Sequence, residues 1–144
     1  MIAKKKIAIL GSTGSIGKST LDVIRKDKKN FEVVFLSAND NYKKLIHQAK
    51  EFNVKNVLIK NKIFYERTKR SLKNSKTKVY SGDISITNII SKKLDYTMAA
   101  IVGVAGLQPT IDAIKISKTV ALANKESIIC GWAILSKLIK KYKT

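Results

Sequence analysis

Short apolar runs recur along the chain, separated by longer stretches in which apolar residues return at helical spacing. The short runs predict strands over Lys6 to Leu10, Glu32 to Ser37, Asn56 to Ile59, Lys78 to Tyr80, Tyr96 to Ala99 and Thr119 to Leu122. Between them lie helical rows: Ile16, Leu21 and Ile24; Leu45, Ile46, Ala49 and Phe52; Ile111, Ile114 and Ile116; Ile128, Ile129, Ile134, Leu135 and Leu138. These rows read as stripes facing a core. The lysine-rich stretch Phe64 to Lys76 is only moderately amphipathic and predicts an exposed helix followed by a mobile loop. Strand alternating with helix is the pattern of parallel strands joined by crossovers, so the expected fold is a doubly wound α/β domain. It would have a mostly parallel sheet with helices on both faces.

No internal repeat or linker divides the chain, and residues 1–144 are expected to form one domain. The single proline, Pro109, suits the first turn of a helix, where its missing N–H costs nothing. The last pattern, Ser127 to Tyr142, runs into Lys140-Lys141-Tyr142-Lys143-Thr144 with no capping glycine, an abrupt stop that reads as the edge of a fragment.

Composition narrows the picture. A chain of 144 residues, 44% hydrophobic, can build one core. It has no apolar run near the length of a membrane span, and Met1-Ile2-Ala3-Lys4-Lys5-Lys6 leads into a strand instead of a signal-peptide core. A cytoplasmic protein with no membrane partner is expected. Cys130, the only cysteine, cannot form an internal disulfide and has no metal-ligand spacing around it, so it reads as a buried structural thiol. The net charge of +19 raises the alternative of a basic nucleic-acid-binding module. Against it, arginine occurs only at positions 25, 67 and 70, and the lysines are spread from Lys4 to Lys143. A solvated basic surface without a specific nucleic-acid partner is the simpler reading.

The strongest local signal is Gly11-Ser12-Thr13-Gly14-Ser15-Ile16-Gly17, directly after the first strand and before a helix. A turn this tight needs glycine where φ is positive or a ligand passes close. The following helix offers unpaired N–H groups and partial positive charge to a pyrophosphate. Gly11 would form the turn, Gly14 would permit close approach and Gly17 would let the helix pack on the sheet. Ser12, Thr13 and Ser15 would add hydroxyls. The glycines fall at intervals of three, unlike the commoner dinucleotide fingerprint, and Gly17-Lys18-Ser19 lacks the spacing of a Walker loop.

A second cofactor contact belongs at the end of the second strand, where the chain reads Asn39-Asp40-Asn41. An acidic group there favours a free ribose 2′-hydroxyl and basic groups a 2′-phosphate. Asp40 therefore pulls toward NAD, and Lys43 and Lys44 toward NADP. The same residues also suit a solvated turn and helix cap.

Three segments together resemble one family. The first is the glycine loop with Ser19-Thr20-Leu21-Asp22-Val23. The second is Met98-Ala99-Ala100-Ile101-Val102-Gly103-Val104-Ala105-Gly106-Leu107, and the third Ala121-Leu122-Ala123-Asn124-Lys125-Glu126-Ser127. In order and spacing they are similar to the amino-terminal third of 1-deoxy-D-xylulose 5-phosphate reductoisomerases. The resemblance implies an NADPH-dependent, divalent-metal-dependent enzyme of isoprenoid precursor biosynthesis. Such an enzyme converts the phosphorylated sugar 1-deoxy-D-xylulose 5-phosphate to 2-C-methyl-D-erythritol 4-phosphate, and the parent is implied to be a homodimer. It further implies that Thr13, Gly14, Ser15 and Ile16 hold the pyrophosphate and that the turn Asn39 to Asn41 meets the adenosine 2′-phosphate. Asn124 and Glu126 would touch the cofactor, and Lys125 the substrate.

Lys125 also follows the last strand at the carboxyl edge of the sheet, where ligands of such sheets bind. Where the family usually shows Gly-Lys-Asn, this chain has Asn39-Asp40-Asn41, a carboxylate in place of a phosphate-pairing lysine. The family's acidic metal ligands and its Asp-Ser-Glu-His segment would lie beyond Thr144, so the metal belongs to the parent and this chain alone is expected to be inactive. His47, amid Lys43, Lys44 and Lys50, reads as a surface residue. A different Rossmann-type oxidoreductase sharing only the loop is the remaining alternative.

Overall fold

The computed structural model describes residues 3–144; Met1 and Ile2, the first residues of the start read above as leading into a strand, lie outside them. Six strands form one sheet: β1 (Lys5–Leu10), β2 (Phe31–Ala38), β3 (Asn56–Ile59), β4 (Lys78–Ser81), β5 (Tyr96–Ala99) and β6 (Val120–Leu122). All neighbouring strands pair in parallel, in the order β4-β3-β2-β1-β5-β6. The helices are α1 (Ser15–Lys26), α2 (Tyr42–Glu51), α3 (Tyr65–Leu72), α4 (Leu107–Ile116) and α5 (Lys125–Tyr142). This is a Rossmann-like α/β fold. The chain winds outward from β1 to β4, then returns to place β5 on the other side of β1. The reversal leaves a crevice at the carboxyl ends of β1 and β5, the usual place for a ligand in such a sheet.

Strand side chains alternate between two cores. Ile7 and Ile9 of β1 join Leu21 and Ile24 of α1, Leu45 and Ala49 of α2 and Leu72 of α3. Ala8 and Leu10 point the other way, to Phe35, Leu94, Ala113 of α4 and Ile86 of a short 3-10 turn. The alternation slips once. The register moves from Ile7↔Val33 to Ala8↔Phe35, so Val34 is an extra residue and shares the second core with Phe35.

Several sequence expectations need correction. Ile16 is exposed at the mouth of the loop and takes no part in a core stripe. Cys130 is exposed, because α5 packs against α4 and the 3-10 turn Val104–Gly106, with only Ser127, Gly131 and Leu135 fully buried on it. Its outer side shows Ile129, 75% exposed, and Trp132, 55% exposed, and Ile134 is exposed on a flank. The stretch after α3 is tied down by hydrogen bonds from Ser75 to Leu72 and from the Thr77 hydroxyl to the Val54 carbonyl at 2.7 Å. The missing capping glycine of α5 is replaced by Lys143, which itself adopts the left-handed conformation at φ 53°. No helix among the described residues is long and apolar enough to cross a membrane.

Candidate dinucleotide site

The loop between β1 and α1 is held by backbone and by one buried polar pair. Gly11 takes φ +82°, and a side chain there would meet the Ala100 carbonyl oxygen at 2.9 Å. Its N–H donates to the carbonyl and hydroxyl oxygens of Ser37, each at 3.1 Å. Ser12 is fully buried: its hydroxyl donates to Gln48 Oε1 at 2.8 Å and its carbonyl accepts from Gln48 Nε2 at 2.9 Å. Ser12 is therefore a structural anchor, not the phosphate donor its hydroxyl suggested. Gln48 escaped the sequence reading because it lies 36 residues away. Gly17 is required by packing, though not against the sheet: a Cβ would fall 2.4 Å from the Gly11 carbonyl oxygen and 2.6 Å from Ser12 Cα.

Gly14 differs from both. It has an ordinary extended conformation, φ −75° and ψ 176°, and a Cβ there meets nothing closer than 3.5 Å. The protein's own packing does not demand glycine at this position, whereas a ligand passing over it would. Gly14 is also the N-cap of α1 and supplies no side-chain hydrogen bond, and the first intrahelical bond runs from the Lys18 N–H to the Gly14 carbonyl. The N–H groups of Ser15, Ile16 and Gly17 thus precede the helix's internal bonding and present the positive end of its dipole. This cradle fits a pyrophosphate.

A cleft of about 910 Å³ opens over the loop. Gly11, Thr13, Gly14 and Asn39 line it, facing Ile101 and Val102 from beyond β5. Its volume lies in the range of small-molecule and cofactor sites. Asp40 and Asn41 continue the turn past Asn39, both exposed, with Asn41 Oδ1 capping α2 by accepting from the Lys44 N–H at 3.1 Å. Gln108, Asp112 and Lys115 also line the cleft, and the sequence reading passed over them. Their spacing on one face of α4 is the signal that was there to find. Asp112 is buried and accepts from both Gln108 Nε2 and Lys115 Nζ at 3.1 Å.

The β6–α5 junction sits at the same edge of the sheet but outside the lining of the cleft. Asn124 is 3% exposed, and its side chain is committed internally. Nδ2 donates to the carbonyls of Ile101 at 2.6 Å and Gly103 at 2.7 Å, while Oδ1 accepts from the Ser127 N–H at 3.1 Å. The amide that the resemblance offered to the cofactor is thus a tie between two loops. Lys125 is exposed in the first turn of α5 and Glu126 half-buried beside it, where its charge suits the helix dipole. His47 is exposed on α2, and no cluster of three or more His, Cys, Asp or Glu side chains forms among the described residues.

Comparison with known proteins agrees with this geometry. The family model described as 1-deoxy-D-xylulose 5-phosphate reductoisomerase matches residues 7–131. Relatives bearing that name include one from Pelagibacter ubique, 54% identical over 97% of this chain and 37% of its own length. Another, from Bacteroides fragilis, is 42% identical over 99% of this chain and 37% of its own length. Among solved structures, the reductoisomerase from Zymomonas mobilis in complex with NADPH superposes with a TM-score of 0.93 at 37% identity, covering 99% of this chain and 38% of that one. A reductoisomerase in complex with NADPH, fosmidomycin and magnesium gives 0.86 at 33% identity, covering 96% and 34%. The chain spans a little over a third of the curated relatives' length. With a family model covering most of its residues and a fold shared throughout, the chain belongs to the 1-deoxy-D-xylulose 5-phosphate reductoisomerase family.

Proposed function

We propose that residues 1–144 are the nicotinamide-dinucleotide-binding domain of a reductoisomerase that converts 1-deoxy-D-xylulose 5-phosphate to 2-C-methyl-D-erythritol 4-phosphate, with NADPH as the cofactor its solved relative carries. The observation that carries this reading is Gly14, a glycine that packing does not require, capping a helix whose first N–H groups are free, under a cleft of about 910 Å³. Gly11, Thr13, Gly14, Ser15, Ile16 and Gly17 form the pyrophosphate cradle, and Asn39, Asp40 and Asn41 the adenosine end. When bound, the reduced nicotinamide supplies a hydride. Lys125 reaches the anionic substrate from the first turn of α5, with Glu126 beside it near the nicotinamide. The divalent metal and its acidic ligands belong to the rest of a cytoplasmic, homodimeric parent, so this chain alone binds cofactor without turnover. No specific nucleic-acid partner is assigned, since the charge of +19 is carried mainly by dispersed lysines.

Titration of the chain with NADPH, followed by nicotinamide fluorescence, tests the reading. Binding should saturate, and Gly14→Val should weaken it by about tenfold or more while the melting transition moves by less than about 1 kcal/mol. Failure of the unmodified chain to bind at millimolar NADPH would sink the proposal.

A further inference from the structure

The cleft over the glycine loop has a second end that the pyrophosphate cradle does not use. Its floor is Phe35 of β2 and Leu58 of β3, and its walls are the segment after β4, which contributes Ile84, and one side of α4. Gln108, Asp112 and Lys115 stand on that side at i, i+4 and i+7, with Asp112 about 6 Å and Lys115 about 10 Å along the helix from Gln108. The Asp112 side chain is 8% exposed. Its Oδ1 accepts from both Gln108 Nε2 and Lys115 Nζ, each at 3.1 Å. Its Oδ2 receives no donor among the described residues, yet it is not sealed inside, where the unpartnered side-chain polar atoms are the hydroxyls of Ser81 and Ser127. A carboxylate more than nine-tenths buried thus turns one unpaired oxygen to the cleft it lines.

Three properties of this end define what it takes. Floor and facing wall are apolar at Phe35, Leu58 and Ile84, which suits the faces of a flat ring. Lys115 neutralises Asp112, so the α4 side favours an uncharged group where the loop side favours an anion. The unpaired Oδ2 calls for a donor, and the Lys115 ammonium, which gives one N–H to Asp112, keeps two for an acceptor beside it. Adenine presents such an edge: the 6-amino group donates, with ring nitrogens that accept on either side of it. A 6-oxopurine carries an acceptor in place of the amino donor and would set lone pairs against lone pairs at Oδ2.

The order of groups along the cofactor agrees. In a doubly wound sheet the pyrophosphate sits at the first helix and the adenosine ribose at the end of β2. Gly14 and Asn39 mark those two places on this cleft, and β2 and β3 carry its floor onward from there to α4. We infer that Asp112 is a base-specificity residue: its Oδ2 accepts the adenine 6-amino group, while Gln108 and Lys115 hold the carboxylate in position. The chain therefore selects an adenine dinucleotide over a 6-oxopurine one. This rests on the dinucleotide reading above and names the part of the cleft that reads the base.

Parallel titrations of the chain with NADPH and with its 6-oxo analogue, reduced nicotinamide hypoxanthine dinucleotide phosphate, test it through the ratio of the two dissociation constants. The phosphates and the nicotinamide are identical in the two probes, so the ratio isolates the base, and it is insensitive to any loss of folded protein that a variant causes. The unmodified chain should bind NADPH about tenfold or more tighter than the analogue. Asp112→Ala should bring the ratio close to one. Asp112→Asn, whose amide can turn an N–H toward the 6-oxo group, should bring it to one or reverse it. A carboxylate that served only to pair with Lys115 would leave the ratio unmoved in both variants. Equal binding of the two probes by the unmodified chain would overturn the inference while leaving the dinucleotide site intact. A preference for NADPH that survives both Asp112 variants would overturn it too. Binding of neither probe would remove the dinucleotide reading itself, and the assignment of Asp112 with it.

Discussion

Two strand-to-helix junctions lie at the same edge of the sheet and treat their helix ends in opposite ways. After β1, α1 is capped by Gly14 with no side chain, and the loop's buried side-chain hydrogen bonds join Ser12 with Gln48, the Ser12 hydroxyl donating to Oε1 and Nε2 donating to the Ser12 carbonyl. After β6, α5 is capped by Asn124, whose amide also closes the neighbouring loop onto Ile101 and Gly103. The first junction leaves its first backbone donors without a side-chain cap. The second spends its polar atoms inside and presents side chains, Lys125 and Glu126, instead. The difference teaches that a helix N-terminus stays open to an anion where the protein withholds its own cap.

The contrast can be broken most severely at Gly17. Gly17→Ala drives a Cβ into the Gly11 carbonyl and Ser12 backbone, which cannot swing aside as a side chain end would. The melting transition should lose about 3 kcal/mol, and cofactor binding should go with it. A stable variant with intact binding would show that the first junction is looser than its packing indicates.

Next in size is Asn124→Ala. It removes the cap and leaves the Ile101 and Gly103 carbonyls without their donor, at a cost of about 2–3 kcal/mol in denaturant titration. Asn124→Ser restores only the cap and should recover about 1 kcal/mol of that loss. If serine recovered everything, the tie between the loops would carry no energy and the two junctions would differ less than described.

The smallest effect lies at the opposite edge of the sheet. The ammonium of Lys118 at 2.7 Å, and then the Lys6 N–H at 2.9 Å, hold the Asp95 carboxyl below the usual carboxylate range. A depressed carboxyl contributes stability that is fully present above its unfolded pKa, near ~4, and is lost as pH falls through the lower folded value. Asp95→Asn should therefore cost less than about 1 kcal/mol at neutral pH and flatten the acid side of the stability profile, with nucleotide binding unchanged. A binding defect would mean that the far edge communicates with the cleft.

Much of this was legible in the sequence, for reasons that also mark the limit. Strands β3 and β5 coincide with their apolar runs, β1, β4 and β6 differ by one residue at one end and β2 by one at each end, because burial on both faces leaves few polar interruptions. Gly11 and Gly17 stood out because a sharp turn between strand and helix tolerates little else. What stayed hidden depends on partners far along the chain: Gln48 beneath Ser12, Asn61 beside Asp40, and Ile101 beside Asn124. Periodicity also reports that a helix face is apolar without reporting whether another layer receives it. Ile16, Ile129 and Ile134 were placed inside for that reason and are exposed, whereas Cys130 was placed inside on its residue type and is exposed as well.

The uncovered side of α5 bears on how the chain behaves in a tube. Ile129 and Trp132, one turn apart, form a sticky patch on a molecule of net charge +19, so mutual repulsion keeps copies apart at low ionic strength. Added salt shortens the reach of that repulsion to about 10 Å at 0.1 M and leaves the greasy patch untouched. Colloidal stability therefore rests on dilute buffer, and concentrated stocks in high salt will cloud first.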